Sequence, residues 1–285
     1  MDAISRGFAM RRVHVLLLYL LAALAICASG TVRAQTSQAH AKPAETQVFN
    51  LEPVRQLRKG VDAWPLILYA NDAASKRVNA ILQEMNQRLT GALKECDTNY
   101  AARAKEGGDA STGEGGTAGD WERKVEVTMA DPRFLSIVAT DDFIFCGAAY
   151  PDSDRIAMVF DMSTGDPVDW TAMIAKSAGA SSVTDTGYDG TEVGALILPA
   201  LEKINLAAAS PECKDAFTDQ QPFLLWPDAQ KQQLVAIASG LPHVVAACEQ
   251  EIHLTMEQVH ALGFDETMID SIELAHRRSM ATPKP

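Results

Sequence analysis

The chain has 285 residues, with 25 Lys and Arg against 37 Asp and Glu, a formal net charge of −12. A surface of that sign repels nucleic-acid phosphates and anionic lipid, which excludes both as electrostatic partners. No Cys-x-x-Cys or His-x-x-x-His spacing occurs, which argues against a structural zinc site.

The first residues set the compartment. Arg6, Arg11 and Arg12 precede an apolar run over 13–28, "VHVLLLYLLAALAICA", and Val32 and Ala34 then stand at the −3 and −1 positions of a cleavage site before Gln35. This is the pattern of a secretory signal peptide over 1–34. The run of 16 residues is shorter than the ~20 needed to span a bilayer, so contact with a membrane is expected only through an uncleaved signal. Cys27 does not make a lipoprotein site, because the bulky Ile26 precedes it. Cleavage at Ala34–Gln35 leaves 251 residues and removes four bases (Arg6, Arg11, Arg12, Arg33) and one acid (Asp2). The 25 and 37 charged residues become 21 and 36, a net of −15. Such a charge favours solubility and would suit a cationic partner.

Residues 35–48 are small and polar and read as a disordered leader; a single α+β domain is expected over 49–280. Within it, "AWPLILYA" (63–70) reads as a strand tolerating Pro65 at its start or on an edge. Asn71 or Asp72 then caps a helix whose Val78, Ile81, Leu82, Met85, Leu89, Leu93 and Cys96 recur at three- and four-residue steps, to about Ala102. Six glycines in 106–120 match neither the P-loop nor the dinucleotide fingerprint and read as a surface loop. Alternating runs follow: Val125, Val127 and Met129, then "RFLSIVAT", "DFIFC" and "RIAMVFDM", closed by the turn "STGD" with Gly165 supplying a positive φ. Asp141-Asp142, and Asp152 with Asp154, read as turn formers between them. Asp169 caps a short helix, 178–190 is a loop, and "TEVGALILPALEKI" reads as a helix that Pro199 kinks or begins. "PFLLWPD", "QLVAIAS" and "EIHLT" are strands, Thr255 to Gln258 is a capping box, and a last helix after Asp265 buries Met268, Ile269 and Ile272. The expected architecture is α+β, a mostly antiparallel sheet of about six or seven strands with helices packed on one face.

Four cysteines survive cleavage: Cys96, Cys146, Cys213 and Cys248. An even number in an exported chain reads as disulfides. Three pairings are possible, and closeness along the chain favours Cys96–Cys146 and Cys213–Cys248.

The order of "WPLILY", a helix carrying Asn79, "FLSIVAT", "GAAYP" at 147–151, "FDMSTGDPVDW" and "TAMI" resembles an extracytoplasmic domain. That domain is shared by RsiV-type lysozyme-sensing anti-sigma factors and PdaC-type peptidoglycan deacetylases. The likeness covers about Ala63 to Leu262. It implies an envelope-facing binding domain, with lysozyme-like proteins as one class of partner. The family's corner histidine is absent here, where Ala149-Tyr150 precedes Pro151. Neither a sigma-binding segment before the apolar run nor a following deacetylase domain is expected.

No Gly-x-Ser-x-Gly elbow or Ser-x-x-Lys set is present, and the acids are not spaced as a glycosidase pair. No catalytic residue, metal site or cofactor is assigned. The expected function is an exported, non-catalytic binding module, periplasmic or secreted. Its partner is a cell-wall glycan or other wall component, or a cationic envelope protein such as a lysozyme-like enzyme. Candidate binding residues are Tyr150, Asp152, Trp170, Trp226 and His243. The alternative is a cell-wall hydrolase or a deacetylase-associated enzyme using His243 with a nearby acid, Asp228 or Glu249.

Overall fold

The computed structural model describes residues 49–105, 121–143 and 152–281. The α+β class and the mostly antiparallel pairing are as expected, and the strands divide between two sheets. The first has the order β1 (Gln56–Arg58), β2 (Val61–Asp62), β3 (Trp121–Ala130), β4 (Phe134–Phe143), β5 (Asp152–Asp161) and β6 (Asp166–Pro167). The second has the spatial order β11-β10-β9-β8-β7, built from β7 (Ser181–Thr186), β8 (Glu192–Ile197), β9 (Pro222–Asp228), β10 (Gln233–Ala238) and β11 (Glu251–Thr255). Among the described residues only β2 and β3 pair in parallel, at Val61 opposite Arg123.

Among the described residues four α-helices accompany them: α1 (Ala73–Lys105), α2 (Pro199–Ala208), α3 (Met256–Ala261) and α4 (Glu266–Ala281). Asp72 caps α1, accepting from Ser75 N at 2.8 Å and Ser75 Oγ at 2.7 Å. The helix buries Val78, Leu82, Met85, Leu89, Leu93 and Cys96, the face its periodicity marks. The capping box opens α3 as expected, with Thr255 and Gln258 exchanging hydrogen bonds. One hydrophobic core takes residues from both sheets and from α1, α3 and α4, among them Leu82, Phe134, Phe160, Phe223, Leu234, Val259 and Ile272.

Several local expectations are corrected. Residues 63–70 form no strand beyond one isolated bridge, Ile67 to Leu51. Two asparagines of α1 take the place of a neighbouring strand. Asn86 accepts from Trp64 N at 2.9 Å and donates to Trp64 O at 3.0 Å; Asn79 does the same for Ile67 at 2.7 and 2.9 Å. Seven residues of helix rise about 10.5 Å and three extended residues span about 10 Å, so the two clasps are in register. Asp141 and Asp154 lie within strands rather than turns, because β4 runs unbroken through "DD" and β5 starts at Asp152. The stretch expected as one helix over 191–204 is β8 followed by α2, with Pro199 at the helix start. The loop over 178–190 contains β7, a hydroxyl-rich edge strand without the apolar signature. After Asp169 there are turns and a single 3₁₀ turn, Lys176–Ala178, in place of a helix. A bulge between Val127 and Met129 sets Met129 opposite Ser136, so it leaves the face of Val125 and Val127.

The β5–β6 turn holds Gly165 at φ +78°, and a Cβ there would stand 2.9 Å from Ala74 Cα at the start of α1. The glycine therefore serves both the turn and the close approach of the helix.

Candidate functional site

The register of the β3–β4–β5 meander decides what its two faces carry. Arg123, Asp141 and Asp154 occupy one row across the three strands; Lys124, Thr140 and Arg155 occupy the next row on the opposite face.

The first row is sealed. Arg123 is 0 % exposed, and its Nε donates to Asp141 Oδ1 at 2.6 Å while Nη2 reaches Asp141 Oδ2 and stands 2.9 Å from Asp189 Oδ2. Trp121 Nε1 donates to Asp141 Oδ1 at 2.8 Å, and the guanidinium lies 5.8 Å from the Trp64 ring centre and 6.0 Å from that of Trp121. Burial opposes the charged guanidinium, but the hydrogen bonds and charges of Asp141 and Asp189 outweigh it and hold Arg123 firmly protonated. Beside it, burial pushes the Asp154 carboxyl up to about 6, against the hydrogen bond it accepts from Tyr188 N at 2.8 Å. Asp189 and Tyr188 sit in the β7–β8 turn, which Arg88 of α1 also holds by donating to Gly190 O at 2.7 Å. The turn lies so close to β5 that a Cβ on Gly187 would stand 2.6 Å from Ile156 Cδ1. Both Asp141 oxygens are engaged, so the cluster is a clamp joining α1, the meander and the β7–β8 turn, with no carboxylate oxygen of Asp141 left to act on a substrate.

The second row faces a groove. On one side stand Lys124, Glu126, Thr128, Val138, Thr140 and Arg155; the other wall is Trp226, Asp228, Lys231, Val235 and Glu251 of the second sheet, enclosing about 120 Å³. A hydrogen bond from Ala229 N to Thr128 O at 2.9 Å ties the sheets together at one end. Lys231 Nζ stands 3.2 Å from Asp228 Oδ2, and that partner raises the lysine above its ordinary value. The groove therefore presents both signs of charge over an apolar floor of Val138, Val235 and Trp226.

A second hollow of about 250 Å³ is lined by Val168, Asp169, Trp170, Ser182, Val183, Thr184, Gly194 and Ala195. Trp170 and Trp226 thus line different hollows, and with only 5 % and 4 % exposure neither offers an open stacking face. Trp170 packs edge-on against Phe264, with ring centres 6.4 Å apart. Asp152 begins β5 and His243 begins the 3₁₀ turn His243–Cys248; their side chains, and Tyr150 entirely, lie outside the described residues. Asp228 pairs with Gln233 at one end of the β9–β10 hairpin, whereas the chain leaves for His243 after Ala238 at the other end.

Cys213 and Cys248 form a disulfide, with Cα atoms 5.4 Å apart. Cys96 is also disulfide-bonded; Cys146, its expected partner, lies outside the described residues. Among the described residues no group of His, Cys, Asp and Glu is arranged to hold a metal ion, and no helix is long and apolar enough to cross a membrane.

Sequence reasoning passed over Arg123 and Asp189, and over Lys124 and Arg155, and took Asp141 for a turn former. A signal existed for the first. Arg123 shares the parity of Val125 and Val127, and a charge on the apolar side of a strand implies a buried partner.

No family model and no curated protein matches the chain. Among solved structures, a crystal structure of a DUF3298 family member from Bacteroides fragilis overlaps 81 % of this chain and 97 % of its own, with a TM-score of 0.46 and 10 % identity. A likeness of that degree carries no argument about family or activity.

Proposed function

We propose that this chain is an exported, non-catalytic binding module of the cell envelope, which holds a cell-wall component in the groove between its two sheets. The observation that carries the reading is the groove itself: side chains of both charges, mounted on paired strands, over an apolar floor. Pairing of the strands fixes the backbones that carry these groups, so that only their side chains remain to be ordered on binding. The Cys213–Cys248 bond supports export, since such bridges persist in oxidising compartments, and the signal-like segment over 1–34 points the same way.

The test is sedimentation of the exported protein with purified peptidoglycan. Retention by the wall, lost when Lys124 and Arg155 are both replaced by Gln, is the expected result. A protein left wholly in the supernatant overturns the reading. A cationic envelope protein is the second reading, favoured by the net charge of −12. It predicts retention on immobilised basic lysozyme that disappears at high salt; no retention at any salt removes it.

A further inference from the structure

The groove's charges are not distributed at random, and resting on the wall-binding reading we propose that its ligand is a zwitterionic peptide of about two residues. Its carboxylate would be taken between Lys124 and Arg155, and its free amino group on the Glu126 side.

The argument starts from the register. Lys124 on β3 and Arg155 on β5 flank Thr140 on β4 in a single row. Neighbouring strands lie about 4.8 Å apart, so the two cations rise from backbones about 10 Å apart and can converge above the Thr140 hydroxyl. Among the described residues neither cation makes an ion pair, and the hydroxyl makes no hydrogen bond, whereas Lys231 across the groove is occupied by Asp228 at 3.2 Å. Two unengaged cations around a hydroxyl donor match a carboxylate, which an arginine can bind through two N–H groups.

The acid lies one step along. Glu126 points from the same face of β3 as Lys124, two residues away, hence about 7 Å. Among the described residues it makes no close ion pair, although its charge reaches Lys231 across the groove. Glu251 stands on the opposite wall, 3.4 Å from His253. A peptide of two residues spans about 7 Å at full extension, so its two termini fall on opposite charges. Val138, Val235 and Trp226 line the hollow, and a space of about 120 Å³ admits only small side chains. A neutral sugar would leave Lys124, Arg155 and Glu126 uncompensated. A large cationic protein could not enter a hollow of this size, and its basic side chains would meet Lys124 and Arg155.

The exported, disulfide-bonded protein is titrated with alanyl-alanine in both configurations, with its N-acetyl and C-amide forms, and with N-acetylglucosamine. Binding is read by calorimetry and by chemical-shift changes at Thr140 and Trp226. At least one free dipeptide should bind, with each blocked form weakened tenfold or more and the sugar inert. In Lys124→Gln/Arg155→Gln the C-amide should bind as well as the free acid; in Glu126→Gln the N-acetyl form should bind as well as the free amine. Lys124 and Glu126 are exposed and Arg155 partly so, and an unchanged melting temperature confirms that the variants fold. Equal affinity for blocked and free dipeptides, or a preference for the sugar, overturns the proposal. So does the absence of any dipeptide response. Wall sedimentation that survives Lys124→Gln/Arg155→Gln sinks the groove assignment while leaving an envelope role standing; dipeptide binding without wall sedimentation sinks the envelope role alone.

Discussion

Asp154 shows how a single side chain can invert an ordinary rule. A strand acid usually gains stability from being ionised, yet this one lies between Asp141 and the β7–β8 turn, and burial raises its carboxyl from 3.8 to about 6. The fold therefore binds this proton more tightly than the unfolded chain does. Its contribution is greatest below pH 3.8 and is lost as pH rises through 6, the reverse of a salt-bridged aspartate. Asp154→Asn keeps an acceptor for Tyr188 N and removes the charge. It should stabilise the protein by about 1–3 kcal/mol at pH 8, taking ~1.36 kcal/mol per pH unit, and by under about 1 kcal/mol at pH 4. Urea denaturation at the two pH values reads this directly, and an equal gain at both would count against it. The neighbouring Arg123 is the counter-case: a fully buried cation kept charged by two carboxylates. Neither residue declares its environment by type, although the parity of Arg123 with the valines of β3 hints at it.

Among the elements, the long helix α1 and the strands from β9 to β11 were legible because each repeats one period over enough residues to outvote local exceptions. Segments whose partner is unusual were not. "AWPLILYA" has the composition of a strand, but its backbone is bonded by Asn79 and Asn86 of α1. Composition reports burial, which this segment has, and not the identity of the hydrogen-bond partner. Asn86→Ala would orphan both backbone groups of Trp64 inside the protein, with an expected loss of about 2–3 kcal/mol and faster hydrogen exchange at the Trp64 amide. An unchanged exchange rate would show that another group satisfies Trp64. The strand β7 escaped for the opposite reason, since Ser181 to Thr186 carries little apolar surface and is held by pairing with β8 at a sheet edge. At the candidate site, Trp226 was selected for its ring and does line the groove. Lys124 and Arg155 were invisible, since only the β3–β4–β5 register places them side by side.

For the molecule as a whole, the Cys213–Cys248 bridge closes a separation of 35 residues and joins the 3₁₀ turns Pro211–Ala216 and His243–Cys248. Replacing both cysteines with serine should lower stability by about 2–4 kcal/mol, mainly by releasing the unfolded chain. Denaturation with and without reductant, against the variant, checks it; a variant as stable as the oxidised wild type would refute the role. By itself the amino-acid sequence determined the acidic charge, the α+β class, the periods of the long helix and most strands, and the cysteines available for this bridge. All of these are properties of composition or of spacing along the chain. Only the tertiary structure decided that the strands form two sheets, that Arg123 is enclosed by Asp141 and Asp189, and that a groove of mixed charge opens between Thr140 and Trp226. Those depend on which distant backbones hydrogen-bond in which register, and a shift of one residue would exchange every side chain between the sealed face and the open one.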